Sequence, residues 1–157
     1  KEYADKFNGV EYKEGTGVWN IKCDVALPSA TENELDKKDA ETLVKNGCKL
    51  VSEGANMPST PEAIEVFRKN KISYGLGKAA NAGGVAVSGL EMAQNSMRYA
   101  WSREEVDNKL KGIMKSIHTQ CLETAKEYGV DGDYMTGANI AGFEKVANSM
   151  LDLGYSG

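Results

Sequence analysis

The first two-thirds of the chain alternates short apolar runs with polar, capped stretches of helical period. That pattern predicts an α/β layer fold. Residues 21–27 read as a buried strand stopped by Pro28. The helix that follows has two competing starts: Thr31-Glu32-Asn33-Glu34 fits a capping box, and Asp36 offers a second N-cap. Gly47 stands where a helix C-terminal glycine belongs. Residues 49–52 predict a second strand, ending in Glu53-Gly54-Ala55-Asn56. Thr60-Pro61 then pairs an N-cap with proline at the first helical position, and Ile64 and Phe67 supply that helix's inner face. Residues 72–75 predict a third strand. The Gly- and Ala-rich stretch 77–84 leads from it into a long helix reaching about Trp101.

Beyond Trp101 the pattern is helical throughout. Ser102-Arg103-Glu104-Glu105 is a capping box, with Trp101 and Val106 spaced as a hydrophobic staple. Val106, Leu110, Ile113 and Ile117 continue an apolar face, residues 129–133 form a turn, and Ile140, Phe143, Val146, Ala147 and Met150 mark a last amphipathic helix. The methionines at 92, 97, 114 and 150 fall on helices and read as core filler.

Three strands, each followed by a loop and a helix, have a structural consequence. Right-handed crossovers make them parallel neighbours, so all three loops leave from one edge of the sheet. Ligands of open α/β sheets bind at that edge. The loops carry Ser29-Ala30-Thr31, Gly54-Ala55-Asn56 and Lys78-Ala79-Ala80-Asn81. Such small residues let a flat ligand lie against backbone while short polar groups orient it.

Composition narrows the function classes. The chain has 157 residues, 41% hydrophobic and 27% charged, the balance of a globular domain, and a net charge of −4. That charge weighs against a nucleic-acid partner, and the basic pairs Lys37-Lys38 and Arg68-Lys69 are short and isolated. No apolar run approaches the ~20 residues that span a bilayer, so no membrane partner is expected. Cys23, Cys48 and Cys121 are odd in number and far apart, which predicts buried free thiols in a reducing cytoplasm and no metal site. The opening residues resemble the tail of a helix, as though the sequence begins partway through a larger protein.

Gly75-Leu76-Gly77-Lys78-Ala79-Ala80 matches G-x-G-x-x-A after a strand. We do not read it as a pyrophosphate loop, because that fingerprint requires a further strand and an acidic residue about 20 positions on. Asn81-Ala82-Gly83-Gly84-Val85-Ala86-Val87-Ser88 carries more information. Two glycines at a helix entrance suit a close-approaching ligand or backbone. Val85 and Ser88 share the helix's first-turn face, one an apolar wall and the other a hydroxyl. Tight helix–sheet packing, with Ser88 bonded back to its own helix, accounts for the same residues, and on the residues alone both readings stand. His118, the single histidine, has no visible nucleophile partner and reads as packed or surface-exposed. Glu104-Glu105 sits at a helix N-terminus, where negative charge is favourable, and takes no catalytic role.

Four segments resemble the hexameric glutamate dehydrogenases of the Glu/Leu/Phe/Val dehydrogenase superfamily. They are 23–35 (Cys-Asp-Val-Ala-Leu-Pro-Ser-Ala-Thr-Glu-Asn-Glu-Leu), Glu53-Gly54-Ala55-Asn56-Met57-Pro58, 78–92 from Lys78 to Met92, and Gly137-Ala138-Asn139-Ile140-Ala141-Gly142-Phe143. They keep the family's order and spacing and span nearly the whole chain. The resemblance implies a partial Rossmann-like dinucleotide-binding domain of parallel strands and helices, followed by C-terminal helices. Residues 1–102 would be the C-terminal half of the NAD(P)-binding domain and 103–157 a helical segment packed on it. Ala30, Thr31, Asn56 and Asn81 would bind cofactor, NAD or NADP. Val85 would pack on the glutamate side chain, and Ser88 would hydrogen-bond its carboxylate. The catalytic lysine and aspartate would lie in an N-terminal substrate domain outside this chain, so no catalytic residue is assigned here. Ser29 stands where many relatives have cysteine.

The reaction implied is the interconversion of L-glutamate with 2-oxoglutarate and ammonia, by a cytoplasmic homohexamer. The rivals are a leucine, phenylalanine or valine dehydrogenase, or an inactive folding module. A hydroxyl at position 88 favours a carboxylate substrate over an aliphatic one. The isolated chain is expected to be inactive, and to self-associate or be only marginally stable.

Overall fold

A computed structural model describes residues 1–154, so residues 155–157 of the expected C-terminal segment lie outside the description. The elements run α1 (Glu2–Lys6), a 3-10 turn (Val18–Asn20), β1 (Val25–Ala26), α2 (Lys37–Lys45), β2 (Leu50–Ser52), α3 (Pro61–Lys69), β3 (Ser73–Gly75), α4 (Gly77–Ala80), α5 (Gly83–Met97), α6 (Arg103–Glu127) and α7 (Tyr134–Asp152). The strands form a parallel sheet in the order β1-β2-β3, as the alternation of elements predicts.

Register decides what each face of the sheet meets. Ala26 pairs with Val51 and Val51 with Tyr74, so the three side chains line one face. All three are buried, against Ala40 and Leu43 of α2 and Ala63 and Phe67 of α3. The Phe67 and Tyr74 rings stack with centroids 5.9 Å apart. This is the main core. A smaller cluster joins Ala79, Cys121 and Ala138 where α4, α6 and α7 meet.

The helix starts follow local chemistry. Of the two possible starts of α2, Asp36 is the N-cap: its side chain accepts from Asp39 N–H and the Asp39 side chain accepts in return. Thr60 caps α3 with Pro61 behind it, and Ser102 and Glu105 close the capping box of α6. Gly47 takes a positive φ of 84° after α2.

Four expectations need correction. The first strand keeps only Val25–Ala26, and Ile21 is exposed, because a 3-10 turn ends just before it and only β2 pairs with β1. The long helix expected to reach Trp101 is α5, with the short α4 inside the Gly- and Ala-rich stretch before it. It stops at Met97, where Arg98 enters the left-handed region at φ 55°. The methionines are not all core filler: Met92, Met97 and Met150 are exposed. Cys23 is only partly buried, whereas Cys48 and Cys121 are buried, and all three are free thiols.

α6 and α7 form an antiparallel hairpin through the turn at Gly129 and Gly132, both at positive φ. The crossing is close enough that a β-carbon on Gly137 would overlap the Cys121 carbonyl and the Ala125 side chain. Among the described residues no helix is long and apolar enough to cross a membrane.

Candidate functional site

The loops after β1, β2 and β3 emerge from one edge of the sheet and are stitched into a continuous ledge. Gly54 N–H donates to the Pro28 carbonyl at 2.8 Å and Ala55 N–H to the same oxygen at 3.3 Å, joining the first loop to the second. A β-carbon on Gly54 would overlap Ser29 Oγ and come within 3.0 Å of its Cβ, so an added side chain displaces Ser29. Asn33 N–H donates to the Met57 carbonyl at 2.9 Å and Leu35 N–H to that of Pro58 at 3.0 Å, extending the join. Asn33 and Met57 both take positive φ there.

The second and third loops are joined by side chains. Asn81 Nδ2 donates to Asn56 Oδ1 at 2.6 Å and to the Ala55 carbonyl at 3.3 Å. Behind this pair lies Glu53, 2% exposed. Its carboxylate accepts from Gly77 N–H at 2.8 Å and from Ser59 N–H at 3.3 Å. Buried carboxylates are costly unless hydrogen-bonded, and these two amides answer that cost.

Below the ledge is a cavity of about 390 Å³. Asn33, Asn56, Lys78 and Asn139 line it, with Glu53 and Tyr74 among its other walls. Burial, reinforced by the neighbouring Glu53 carboxylate, pushes the Tyr74 phenol far above its ordinary value. The buried hydroxyls of Ser59 and Tyr74 have no protein hydrogen-bond partner. Among the described residues no cluster of His, Cys, Asp or Glu could hold a metal ion.

Of the residues singled out in the sequence, Asn56 and Asn81 are brought into direct contact. Ala30 and Thr31 lie exposed on the neighbouring first loop. Val85 and Ser88 lie exposed on the first turns of α5, and Ser88 Oγ donates to the Gly84 carbonyl at 3.3 Å. The bond back to its own helix is therefore present, but the packing of this face on the sheet is not: Val85 is 75% exposed. His118 is exposed on α6, its ring 5.4 Å from that of Tyr134. Burial, then the adjacent Cys121, raises the Tyr134 phenol to about 12.

A family model for the glutamate/leucine/phenylalanine/valine dehydrogenases matches residues 1–154. The chain belongs to this family. It is 59% identical to a glutamate dehydrogenase of Bacteroides thetaiotaomicron, over 98% of this chain and 34% of the relative. It is 56% identical to an NADP-specific glutamate dehydrogenase of Helicobacter pylori, over 98% of this chain and 36% of the relative. Its fold is similar to the crystal structure of Plasmodium falciparum glutamate dehydrogenase with a TM-score of 0.93 and 49% identity, covering 99% of this chain and 33% of that one. The chain thus spans about a third of the length of these relatives.

Within this member of the dehydrogenase family, sequence reasoning missed Glu53 as a component of the ledge. The signal available was an acidic residue between a strand and Gly54-Ala55, where a solvated side chain is the ordinary expectation. Its burial depends on Gly77 and Ser59, far away or across a turn in sequence. Gly77 was visible as part of a glycine motif. Its function here is spatial: a β-carbon would come within 2.9 Å of the Ala55 carbonyl and 3.1 Å of Glu53 Oε2.

Proposed function

We propose that the complete protein containing this chain is a glutamate dehydrogenase, converting L-glutamate reversibly to 2-oxoglutarate and ammonia with NAD or NADP. The observation that carries this reading is the asparagine pair on the ledge. With Asn81 Nδ2 turned toward Asn56 Oδ1, Asn81 Oδ1 and Asn56 Nδ2 are left as one acceptor and one donor. A carboxamide such as that of nicotinamide offers the complementary donor and acceptor.

The ledge also suits a flat, extended ligand. Ala55 keeps its backbone free of a bulky side chain, and Ala30 and Thr31 extend it toward the first strand. When bound, the nicotinamide supplies the hydride chemistry. This chain's part is to hold and orient: Ala30, Thr31, Asn56 and Asn81 toward the cofactor, Val85 and Ser88 toward the substrate. Val85 offers an apolar wall to the glutamate side chain. Ser88 Oγ, now bonded only to the Gly84 carbonyl, can reorient to donate to the side-chain carboxylate.

In this reading residues 1–102 are the C-terminal half of the dinucleotide-binding domain and 103–157 a C-terminal helical segment. The boundary falls at the Ser102 cap of α6. The proton-transfer residues and the groups that grip the substrate's α-carboxylate come from the part of the protein outside this chain. The complete enzyme is taken to be a cytoplasmic homohexamer.

The test is an assay of the complete protein for NAD- and NADP-linked oxidation of L-glutamate, with L-leucine and L-phenylalanine as comparison substrates. A preference for glutamate by orders of magnitude supports the assignment and fixes the coenzyme. A preference for an apolar amino acid leaves the cofactor ledge intact and removes the roles given to Val85 and Ser88.

A further inference from the structure

The hydrogen bonds behind the ledge close a circuit. Glu53 Oε2 accepts from Gly77 N–H at 2.8 Å. The Gly77 carbonyl accepts from the Asn81 backbone N–H at 2.8 Å, across the single turn of α4. The Asn81 side chain donates to Asn56 Oδ1 at 2.6 Å. Asn56 is three residues beyond Glu53 on the same loop, which completes the ring. Glu53 Oε1 accepts from Ser59 N–H at 3.3 Å, tying down the far end of that loop just before α3.

We propose that Glu53 is a positioning residue: its buried carboxylate sets the separation and orientation of Asn56 and Asn81, and through them the nicotinamide end of the cofactor. The link to the cofactor rests on the reading given under Proposed function. The link to the asparagine pair rests on geometry alone.

α4 has only four residues, so a displacement of Gly77 is carried directly to Asn81. Gly77 is held against the second loop by its bond to Glu53 and by its close backbone approach to Ala55. A short side chain could not bridge both amides, and a neutral amide would turn an N–H toward one of two N–H donors. An apolar residue would leave both amides buried without partners. A carboxyl group with two acceptor oxygens meets both amides at once, one oxygen to each.

The test is a coenzyme kinetic cycle in the complete enzyme, using Glu53→Gln, Asn81→Ala and the double variant. Glu53→Gln is expected to raise KM for the coenzyme about tenfold with a smaller change in kcat, and an unchanged KM overturns the proposal. If Glu53 acts through Asn81, the double variant is no worse than Asn81→Ala alone. Multiplicative losses would mean that Glu53 acts elsewhere or only supports the fold.

Should Glu53→Gln fail to fold, Gly77→Ala displaces the same helix start while keeping the carboxylate. It must show the same non-additivity with Asn81→Ala. Crystal structures of Glu53→Gln and Gly77→Ala, which both keep Asn81, provide a readout independent of activity. The Asn56–Asn81 bond is expected to lengthen beyond hydrogen-bonding distance, and its retention sinks the proposal. A wild-type protein inactive on glutamate refutes the functional reading, yet the crystallographic result still decides the positioning role.

Discussion

Asp133 caps the N-terminus of α7 and at the same time pairs with Arg68 on α3. Its carboxylate accepts from Thr136 N–H at 3.0 Å and from the Thr136 hydroxyl at 2.8 Å, while the Arg68 guanidinium donates to Oδ2. One side chain therefore starts the last helix and docks it beside the three-stranded core. Burial opposes ionisation of Asp133, but the two Thr136 bonds and Arg68 outweigh it and hold the carboxyl below its ordinary value.

The sign of the pH dependence follows. A carboxylate whose folded pKa is lowered stabilises the fold above its unfolded value of about 3.9, and that contribution is lost as pH falls through the folded pKa. Asp133→Asn keeps a capping side chain but removes the charge. Its destabilisation relative to wild type should be larger at pH 7 than at pH 3, by urea unfolding of the complete protein. Equal losses at both pH values would show that the charge contributes nothing. Asp133→Ala should cost about 0.5–2 kcal/mol more broadly, as a lost N-cap.

Two glycines on α7 should respond to alanine with opposite signs. Alanine is favoured over glycine in a helix interior by about 1 kcal/mol. At Gly142 nothing lies within 4 Å of an added β-carbon, so Gly142→Ala should raise the melting temperature. At Gly137 the added carbon meets the Cys121 carbonyl, which is helix backbone and cannot step aside. Overpacking costs typically about 1–3 kcal/mol and outweighs the propensity gain, so Gly137→Ala should lower Tm. Matching shifts at the two sites would contradict the close crossing of α6 and α7.

Ser88→Ala in the complete enzyme should raise KM for glutamate about 10-fold or more, the loss of a hydrogen bond to a charged group. KM for the coenzyme should hardly move. An unchanged KM for glutamate removes Ser88 from the substrate site.

Expressed alone, residues 1–157 should associate. Val85, Phe143 and Leu153 are 75%, 72% and 86% exposed, and burying large apolar side chains against a second copy removes them from water. Size-exclusion chromatography with light scattering reads the outcome. A monodisperse monomer with a sharp, high melting transition would show that these side chains are tolerated in water. Turnover of glutamate by this piece would contradict the assignment of the catalytic groups to the rest of the protein.

Much of the architecture was legible because its signals are local. Thr60-Pro61, Ser102 with Glu105, and Gly47 act within a few residues of themselves, and each stands where its chemistry indicates. The alternation of apolar runs and capped helices was enough for three parallel strands. α7 was misleading: Ile140, Phe143, Val146, Ala147 and Met150 have the spacing of a buried stripe, yet Phe143 and Val146 are exposed. Helical period reports that a face is apolar and says nothing of what covers it. In α7 the contact with α6 is instead made by Gly137, Ala138 and Ala141, whose small size permits the approach.

The sequence by itself determined the order of the elements, their parallel arrangement and the edge at which the loops gather, because caps, breakers and chain crossovers act through near neighbours and handedness. It also carried the family resemblance. Only the tertiary structure decided that Asn56 and Asn81 share a hydrogen bond, that Glu53 is buried between Ser59 and Gly77, and that Gly137 lies against the Cys121 carbonyl. Most of these contacts join residues well separated along the chain, and all depend on how closely the segments approach. No local propensity encodes such distances; they are set when the three loops gather at the sheet edge and α6 packs on α7.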